Sequence, residues 1–355
     1  MAADDFAIVV GIATYPDFGE SPGDARNLLA PDDDAADVVA WLKDANGGAV
    51  PDDHVRVVRS SLVPPGTSGS PWPSKDGVLQ EFDRLEQLSQ VSSSAGSGAR
   101  VGRRLYVYAG GHGFARKRKE GALFAADATR IRRHHVFTSA WLEWFANAGY
   151  FDEAVLWMDT CMWPDSTTIL EPVGYRPLVA RQTARMFSAY AARFPLQAVE
   201  RRIDGGPVRA VFTHALLEGL RGGAADPMTH EVTSARLRDY LTNHMRDHLP
   251  TEDLENPLIS KEPDFGFDDD IVFCTLPVLK ATRVTLLGFP GASEGRSLSI
   301  VGGSPPAEVA TATVQAQKAS VTLAPGLYFL QMANPLFAKG FQVPGGDHAT
   351  VDLTA

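Results

Sequence analysis

Two cysteines in 355 residues are too few for a disulfide framework, so Cys161 and Cys274 are expected to be reduced, as suits a cytoplasmic protein. Long apolar runs are also missing. None approaches the ~18 residues that a membrane-spanning helix needs, and the acidic start through Asp4 and Asp5 is unlike the basic opening of a secretory leader. No membrane partner is expected. Cationic surface is scarce as well: net charge is −10, from 33 Lys and Arg against 43 Asp and Glu. The one dense basic run, Arg116-Lys117-Arg118-Lys119, reads as a solvated loop. That argues against nucleic acid, which needs concentrated positive charge. What remains is an ordinary globular balance, 44% hydrophobic and 21% charged, sufficient for a sizeable core. The length predicts two domains, or one large domain with an appendage.

Phe6–Ile12, His54–Val58, Leu105–Ala109, Ala154–Met158 and Met186–Ala191 are short runs rich in apolar residues. Such runs are typical of strands buried on both faces of a parallel sheet. Asp33–Asn46, Val78–Leu88 and Phe137–Ala148 carry helical spacing, and further helices are expected over Val208–Leu220 and Ser234–His248. The alternation predicts an α/β fold, a mostly parallel sheet flanked by helices, with its site at the carboxyl ends of the strands. After about Leu276 the character changes. Arg283–Leu287, Ser297–Val301, Ala319–Leu323, Leu327–Met332 and Gly340–Val343 are short β-rich runs between turns, which predicts a small all-β sandwich. The expected domains are 1–275 and 276–355.

Two predicted strands end in reactive side chains. One runs into Gly110-Gly111-His112-Gly113 and the other into Asp159-Thr160-Cys161. A thiol attacks a carbonyl as its thiolate, and a neighbouring imidazole is the usual means of making and orienting one. The imidazole can then protonate the leaving amine. Gly113 has no side chain to hold a substrate carbonyl away, and its N–H with that of Cys161 could meet an oxyanion. By position alone, a buried core cysteine and a turn histidine fit equally well. Asp159 lies two residues before Cys161, on the same strand face. It would raise the thiol's pKa rather than form a thiolate, but could bind a cationic side chain; a loop or capping aspartate is the alternative. Asp32-Asp33-Asp34 reads as a helix cap.

Other groups invite simpler readings. The glycines around His112 do not lead into a helix, which excludes a phosphate loop. His134-His135 reads as a surface pair, His214 as a packing or surface histidine, and Cys274 as a buried, inert thiol. Asp268-Asp269-Asp270 lacks calcium-ligand spacing. No metal site or required cofactor is expected.

The motifs, in their order along the chain, resemble the caspase-like cysteine peptidases, especially the bacterial and metacaspase branch. The matching segments are Ala7–Ile12 with Tyr15-Pro16, Leu29–Ala35, Tyr106–Gly113, Leu156–Cys161 and Val211–Leu220; they span about residues 6 to 250. The resemblance implies a caspase-like sheet, with His112 as general base and acid, Cys161 as nucleophile and Gly113 as oxyanion donor. It also makes Asp34 and Asp159 walls of the first specificity pocket, hence cleavage of protein substrates after Arg or Lys. Relatives commonly continue the cysteine motif with His-Ser-Gly, where this chain has Met162-Trp163-Pro164. Family members often act in defence or cell death and are controlled by calcium or by self-cleavage. Here Trp163–Thr183, with Arg176 and Arg181, is the candidate self-cleavage segment, while nothing in the sequence itself supports calcium. The C-terminal β part is a candidate surface for a partner or regulator. A catalytically silent scaffold is the alternative function.

Overall fold

The computed structural model describes residues 3–354 except 22, 67–68, 96–98, 166–167, 172, 175–183, 204, 280, 303–305, 344 and 346–347. Contacts divide the chain into two compact units, Met1–Leu217 with Arg238–Ile271, and Glu218–Leu237 with Val272–Ala355.

The first unit is built on a six-stranded sheet. Its strands are β1 (Asp5–Gly11), β2 (Val55–Arg59), β3 (Gly102–Gly110), β4 (Phe151–Asp159), β5 (Arg185–Tyr190) and β6 (Asp264–Asp268). They lie in the order β6-β5-β4-β3-β1-β2, all parallel except β6, which runs antiparallel along β5 at the edge. This is the α/β class read from the sequence, with helices flanking a mostly parallel sheet.

Strand parity decides which residues meet which helices. Ile8, Val10, Leu105, Val107, Leu156 and Met158 share one core with α2 (Lys75–Ser94) and α3 (Thr138–Asn147), which supply Phe82, Leu142 and Phe145. Tyr106 and Trp157 point to the opposite face. There Trp41 of α1 (Pro31–Lys43) meets their rings edge-on, at 6.2 and 5.6 Å. Asp159 has the parity of Trp157, so it too points toward the α1 side.

Two expected helices change bounds for physical reasons. α1 opens at Pro31, since proline in a first turn has no N–H to waste, and Asp32, Asp33 and Asp34 then sit at the favourable end of the helix dipole. The expected helix over Val208–Leu220 divides. Val208–Ala210 pairs antiparallel with Glu200–Arg202, and α4 (Val211–Glu218) begins only afterwards.

In the second unit, β7 (Thr282–Leu287), β8 (Ser297–Gly302), β9 (Ala307–Thr313), β10 (Ala319–Leu323), β11 (Gly326–Met332), β12 (Phe337–Val343) and β13 (His348–Asp352) form two sheets. Their orders are β10-β7-β13 and β9-β8-β11-β12, antiparallel except for the β7–β13 pair. Val284, Leu286, Leu298, Ile300, Leu330 and Phe341 are buried in one shared core. β9 and β13 were not expected from the sequence.

Candidate active site

His112 follows the carboxyl end of β3, and Cys161 that of its neighbour β4. Both line one cleft of about 540 Å³, together with Gly113, Phe114 and Trp163.

The His112 loop is held from β1's side. Its backbone N–H donates to the Tyr15 hydroxyl (2.9 Å), which in turn donates to the Phe124 carbonyl (3.2 Å). Gly111 adopts a φ of +151° and lies so close that a Cβ there would sit 2.4 Å from the Tyr15 oxygen. The imidazole stacks on Phe18, with ring centroids 5.2 Å apart. Its Nε2 lies 2.7 Å from the Arg26 carbonyl. A carbonyl only accepts, so the proton sits on Nε2 and Nδ1 is left as the basic nitrogen. This is a base oriented by a third group. Burial lowers the imidazole's pKa, and the Arg26 carbonyl and Glu200 partly oppose it.

Cys161 is partly exposed and donates its thiol proton to the Ala198 carbonyl, 3.6 Å away. Burial pushes this thiol up; the Ala198 contact opposes the shift and Asp159 adds to it. With the thiol raised and the imidazole lowered, the resting pair is neutral. Cys161 should therefore label with iodoacetamide before the buried Cys274, and its rate should still climb at about pH 9. A rate that levels off near pH 7 would reveal a resting thiolate instead.

Gly113 opens a short strand, Gly113–Ala115, which pairs with Gly121–Phe124 and Trp163–Pro164. A Cβ on Gly113 would lie 2.5 Å from Thr160 Cβ and 2.9 Å from the Ala122 carbonyl. Close approach to the Cys161 strand thus requires glycine. Gly113→Ala should cost about 1–3 kcal/mol through overpacking. If Gly113 serves as the oxyanion donor that the sequence resemblance implies, the change should also lower peptide cleavage at least ~100-fold. Melting temperature and kcat/KM check the two effects separately.

Asp159 and Asp34 are both buried, and neither lines the cleft shared by His112 and Cys161. Asp159 Oδ2 accepts from the Thr213 N–H (3.0 Å) and hydroxyl (2.6 Å) at the start of α4. With its proton so used, Thr213 accepts from the Tyr108 hydroxyl at 2.8 Å. Burial pushes the Asp159 carboxyl up to about 6, against both Thr213 bonds, and Glu200 adds to the rise. Asp34 Oδ2 accepts from the Ala210 N–H (2.9 Å). Burial pushes its carboxyl up to about 8; Ala210 and Arg209 oppose the shift, while Asp159 and Asp37 reinforce it. The two aspartates are thus electrostatic neighbours on the α1 face. Arg209 already sits over this cluster, 3.2 Å from Asp33, 3.7 Å from Asp34 and 3.2 Å from Asp37.

Glu200, Thr213 and Tyr15 escaped the sequence reading as site residues. Glu200 accepts from the Leu29 and Ala30 N–H groups at 2.8–3.0 Å, tying the segment before α1 to the hairpin over 200–210. Its charge acts on both Asp159 and His112. Only tertiary structure brings it there. Tyr15-Pro16 reads as a turn, and nothing local marks the Tyr15 hydroxyl as the prop of His112.

Some simpler readings need correction. His135 is buried rather than superficial: it belongs to a strand paired with Gly121–Phe124, and its ring packs edge-on to Phe114. The basic run is exposed, as read, but two of its residues also hold partners. Arg118 holds Asp264 in a fork at 2.8 and 2.7 Å, and Lys119 reaches the Gly266 carbonyl. His214 packs edge-on against His248. Asp268 pairs with Arg238, and Asp269 accepts from the Met186 N–H. Cys274 is buried, with its thiol on the Leu220 carbonyl at 3.7 Å. Arg176 and Arg181 of the candidate self-cleavage segment lie outside the described residues. No helix among the described residues is long and apolar enough to cross a membrane.

No family model and no curated protein matches the chain. Among solved structures, it is similar to caspase-1 from Spodoptera frugiperda at 15% identity and a TM-score of 0.46, covering 78% of this chain and 92% of that one. The pro form of that caspase aligns at 14% identity and a TM-score of 0.40, over 75% of this chain and 92% of the other. A structural-genomics protein from Geobacter sulfurreducens aligns at 11% identity and a TM-score of 0.44, over 77% and 99%.

Proposed function

We propose that the chain is a cysteine endopeptidase of caspase-like design, cutting protein substrates after Arg or Lys. The observation that carries this is the shared cleft at the ends of β3 and β4, where Cys161 lies with a His112 ring whose Nε2–H is fixed on the Arg26 carbonyl. In this reaction His112 Nδ1 takes the Cys161 proton as Sγ bonds to the carbonyl carbon. The oxyanion is met by the Gly113 and Cys161 N–H groups. Collapse breaks the C–N bond, and His112 returns the proton to the departing amine. Water, deprotonated by the same imidazole, then cleaves the thioester and restores the thiol.

Asp34, Asp159 and Glu200 support the basic preference. Asp159 acts on Asp34 and Glu200 acts on Asp159, close to the nucleophile, and Asp34 already lies 3.7 Å from the guanidinium of Arg209. Fluorogenic peptides ending in Arg, Lys or Asp, with and without calcium, test the reading against Cys161→Ala and His112→Ala. Arg-directed cleavage lost in both variants is expected. Cleavage after Asp would keep the dyad and overturn the acidic pocket.

A second reading, a silent scaffold, draws support from the resting thiol, which is raised and turned to the Ala198 carbonyl. Absence of cleavage, together with labelling of Cys161 no faster than Cys274, would favour it.

A further inference from the structure

Beyond His112 the cleft continues into a cationic cavity. It encloses about 490 Å³ between Phe18, Glu20, Arg26, Arg130, Arg133 and His112. It shares Phe18, His112, Arg130 and Arg133 with the cleft that contains Cys161, but Cys161 itself does not line it. Neither cavity is lined by Asp34, Asp159 or Glu200. The surroundings of the dyad are therefore polarised, with carboxylates buried toward α1 and guanidinium groups past the imidazole.

The three arginines are held differently. Arg26 pairs with Asp24 at 3.3 Å. Arg133 pairs with Asp165 at 3.0 Å, and its guanidinium lies over the rings of Phe124 (4.5 Å) and Phe18 (5.2 Å). Stacking of this kind fixes the plane of the guanidinium and leaves less freedom to lose when an anion arrives. Arg130 is exposed, donates only a long bond to the Glu20 carbonyl (3.3 Å), and pairs with no carboxylate among the described residues. One cation is thus uncommitted, beside one already made rigid.

The chemistry of the cut gives this cavity its occupant. The imidazole hands its proton to the leaving amine, so the segment released by the cut runs past His112 rather than past the acyl-bearing Cys161. We propose that the cavity receives the first residues after the scissile bond and selects a carboxylate side chain there, with Arg130 as the specificity-determining residue. This rests on the peptidase reading. It makes the preferred substrate a bipolar segment, a basic residue before the cut and an acidic one shortly after it.

The test uses internally quenched peptides with Arg before the cut and either Glu-Asp or Lys-Lys shortly after it, at about 150 mM salt so that only close charges count. The readout is the ratio of kcat/KM for the acidic and basic peptides, which is independent of how active each variant is. The same peptides, dye-labelled, are also titrated against Cys161→Ala by fluorescence anisotropy. A ratio of at least about tenfold in the wild type, falling to one or below in Arg130→Glu and close to one in Arg130→Gln, is expected from a near-contact charge pair. Cleavage without that preference, or with a preference that survives Arg130→Glu, overturns the subsite and leaves the peptidase intact. If nothing is cut but the acidic peptide binds Cys161→Ala about tenfold tighter, and Arg130→Glu removes the difference, the cationic subsite stands and the peptidase reading falls. Neither cleavage nor a difference in binding removes both.

Discussion

The Asp34→Asn variant should be more stable than the parent at pH 8 and at least about 100-fold slower on peptides ending in Arg. Both effects follow from one buried carboxyl on α1, pushed up to about 8 chiefly by burial. Between 3.8, its ordinary value, and about 8, the folded protein keeps a proton that the unfolded chain has given up. Stability therefore falls as pH rises through that window. Asparagine carries no charge to desolvate, and its Oδ1 can still accept from the Ala210 N–H that Asp34 now holds. The gain should be on the order of 3 kcal/mol at pH 8 and should vanish below about pH 4. Loss of the 3.7 Å approach to Arg209 offsets a little of it. On the proposed preference for a basic side chain, activity moves the other way, because a substrate guanidinium held by these carboxylates needs them ionised. Asp159, at about 6, and Asp34, at about 8, titrate as an interacting pair. Cleavage after Arg by the parent should therefore rise from pH 6 to 8, mainly through a falling KM. Urea midpoints at pH 4 and pH 8, with a pH profile of kcat/KM, check this. An unchanged midpoint at pH 8 would mean that Asp34 is not held protonated. Full activity of the variant would mean that it takes no part in binding the basic side chain.

What was legible in the sequence is what burial on two faces writes there. β1, β3 and β4 are covered by helices on both sides, so Phe6–Ile12, Leu105–Ala109 and Ala154–Met158 read as unbroken apolar runs, and their ends locate His112 and Cys161. Elements with one covered face, or none, left weaker traces. β9 is Ala-Glu-Val-Ala-Thr-Ala-Thr with an exposed face, and the edge strand β6 is Asp-Phe-Gly-Phe-Asp; neither pattern stands apart from a loop. The hairpin over Glu200–Ala210 is a tertiary device. Its strand Val208–Ala210 looked like the opening of α4, yet there Ala210 supplies the N–H for Asp34 and Arg209 the guanidinium. The placement of Asp159 was half legible. Parity put it on a face with Cys161, but parity could not say that α4 would close over that face and take both bonds from Thr213 to Asp159 Oδ2. The charged start of β3 was illegible for the opposite reason. Arg103 and Arg104 read as the boundary of a strand that in fact begins at Gly102.

Arg104→Ala should cost about 3–5 kcal/mol, the largest loss expected of any single change at the sheet's amino-terminal edge. Arg104 is 1% exposed, directly across from Glu153 of β4 and Asp5 of β1 in the strand register. It donates through Nε to Glu153 at 2.5 Å and through a terminal nitrogen to the Tyr106 hydroxyl at 2.6 Å. Burial pulls its pKa down, yet Tyr106, Glu153 and Asp5 together hold it above the ordinary value. Alanine would remove the cation between two buried carboxylates and leave a guanidinium-sized hole. Arg103 and Arg185, which reach Asp5 and Glu153 from more exposed positions, would limit the loss without filling the space. Arg104→Met separates the two contributions. It nearly restores the volume but not the charge, so a cost close to that of alanine assigns the effect to the unpaired carboxylates. Combining it with Glu153→Leu should then recover most of the loss, since an apolar pair can replace a buried ion pair at little cost. Urea unfolding followed by tryptophan fluorescence reads this unit directly, because all six tryptophans lie within its residues. Additive single effects in that cycle would show that Arg104 and Glu153 contribute independently, and that packing rather than pairing secures this edge of the sheet.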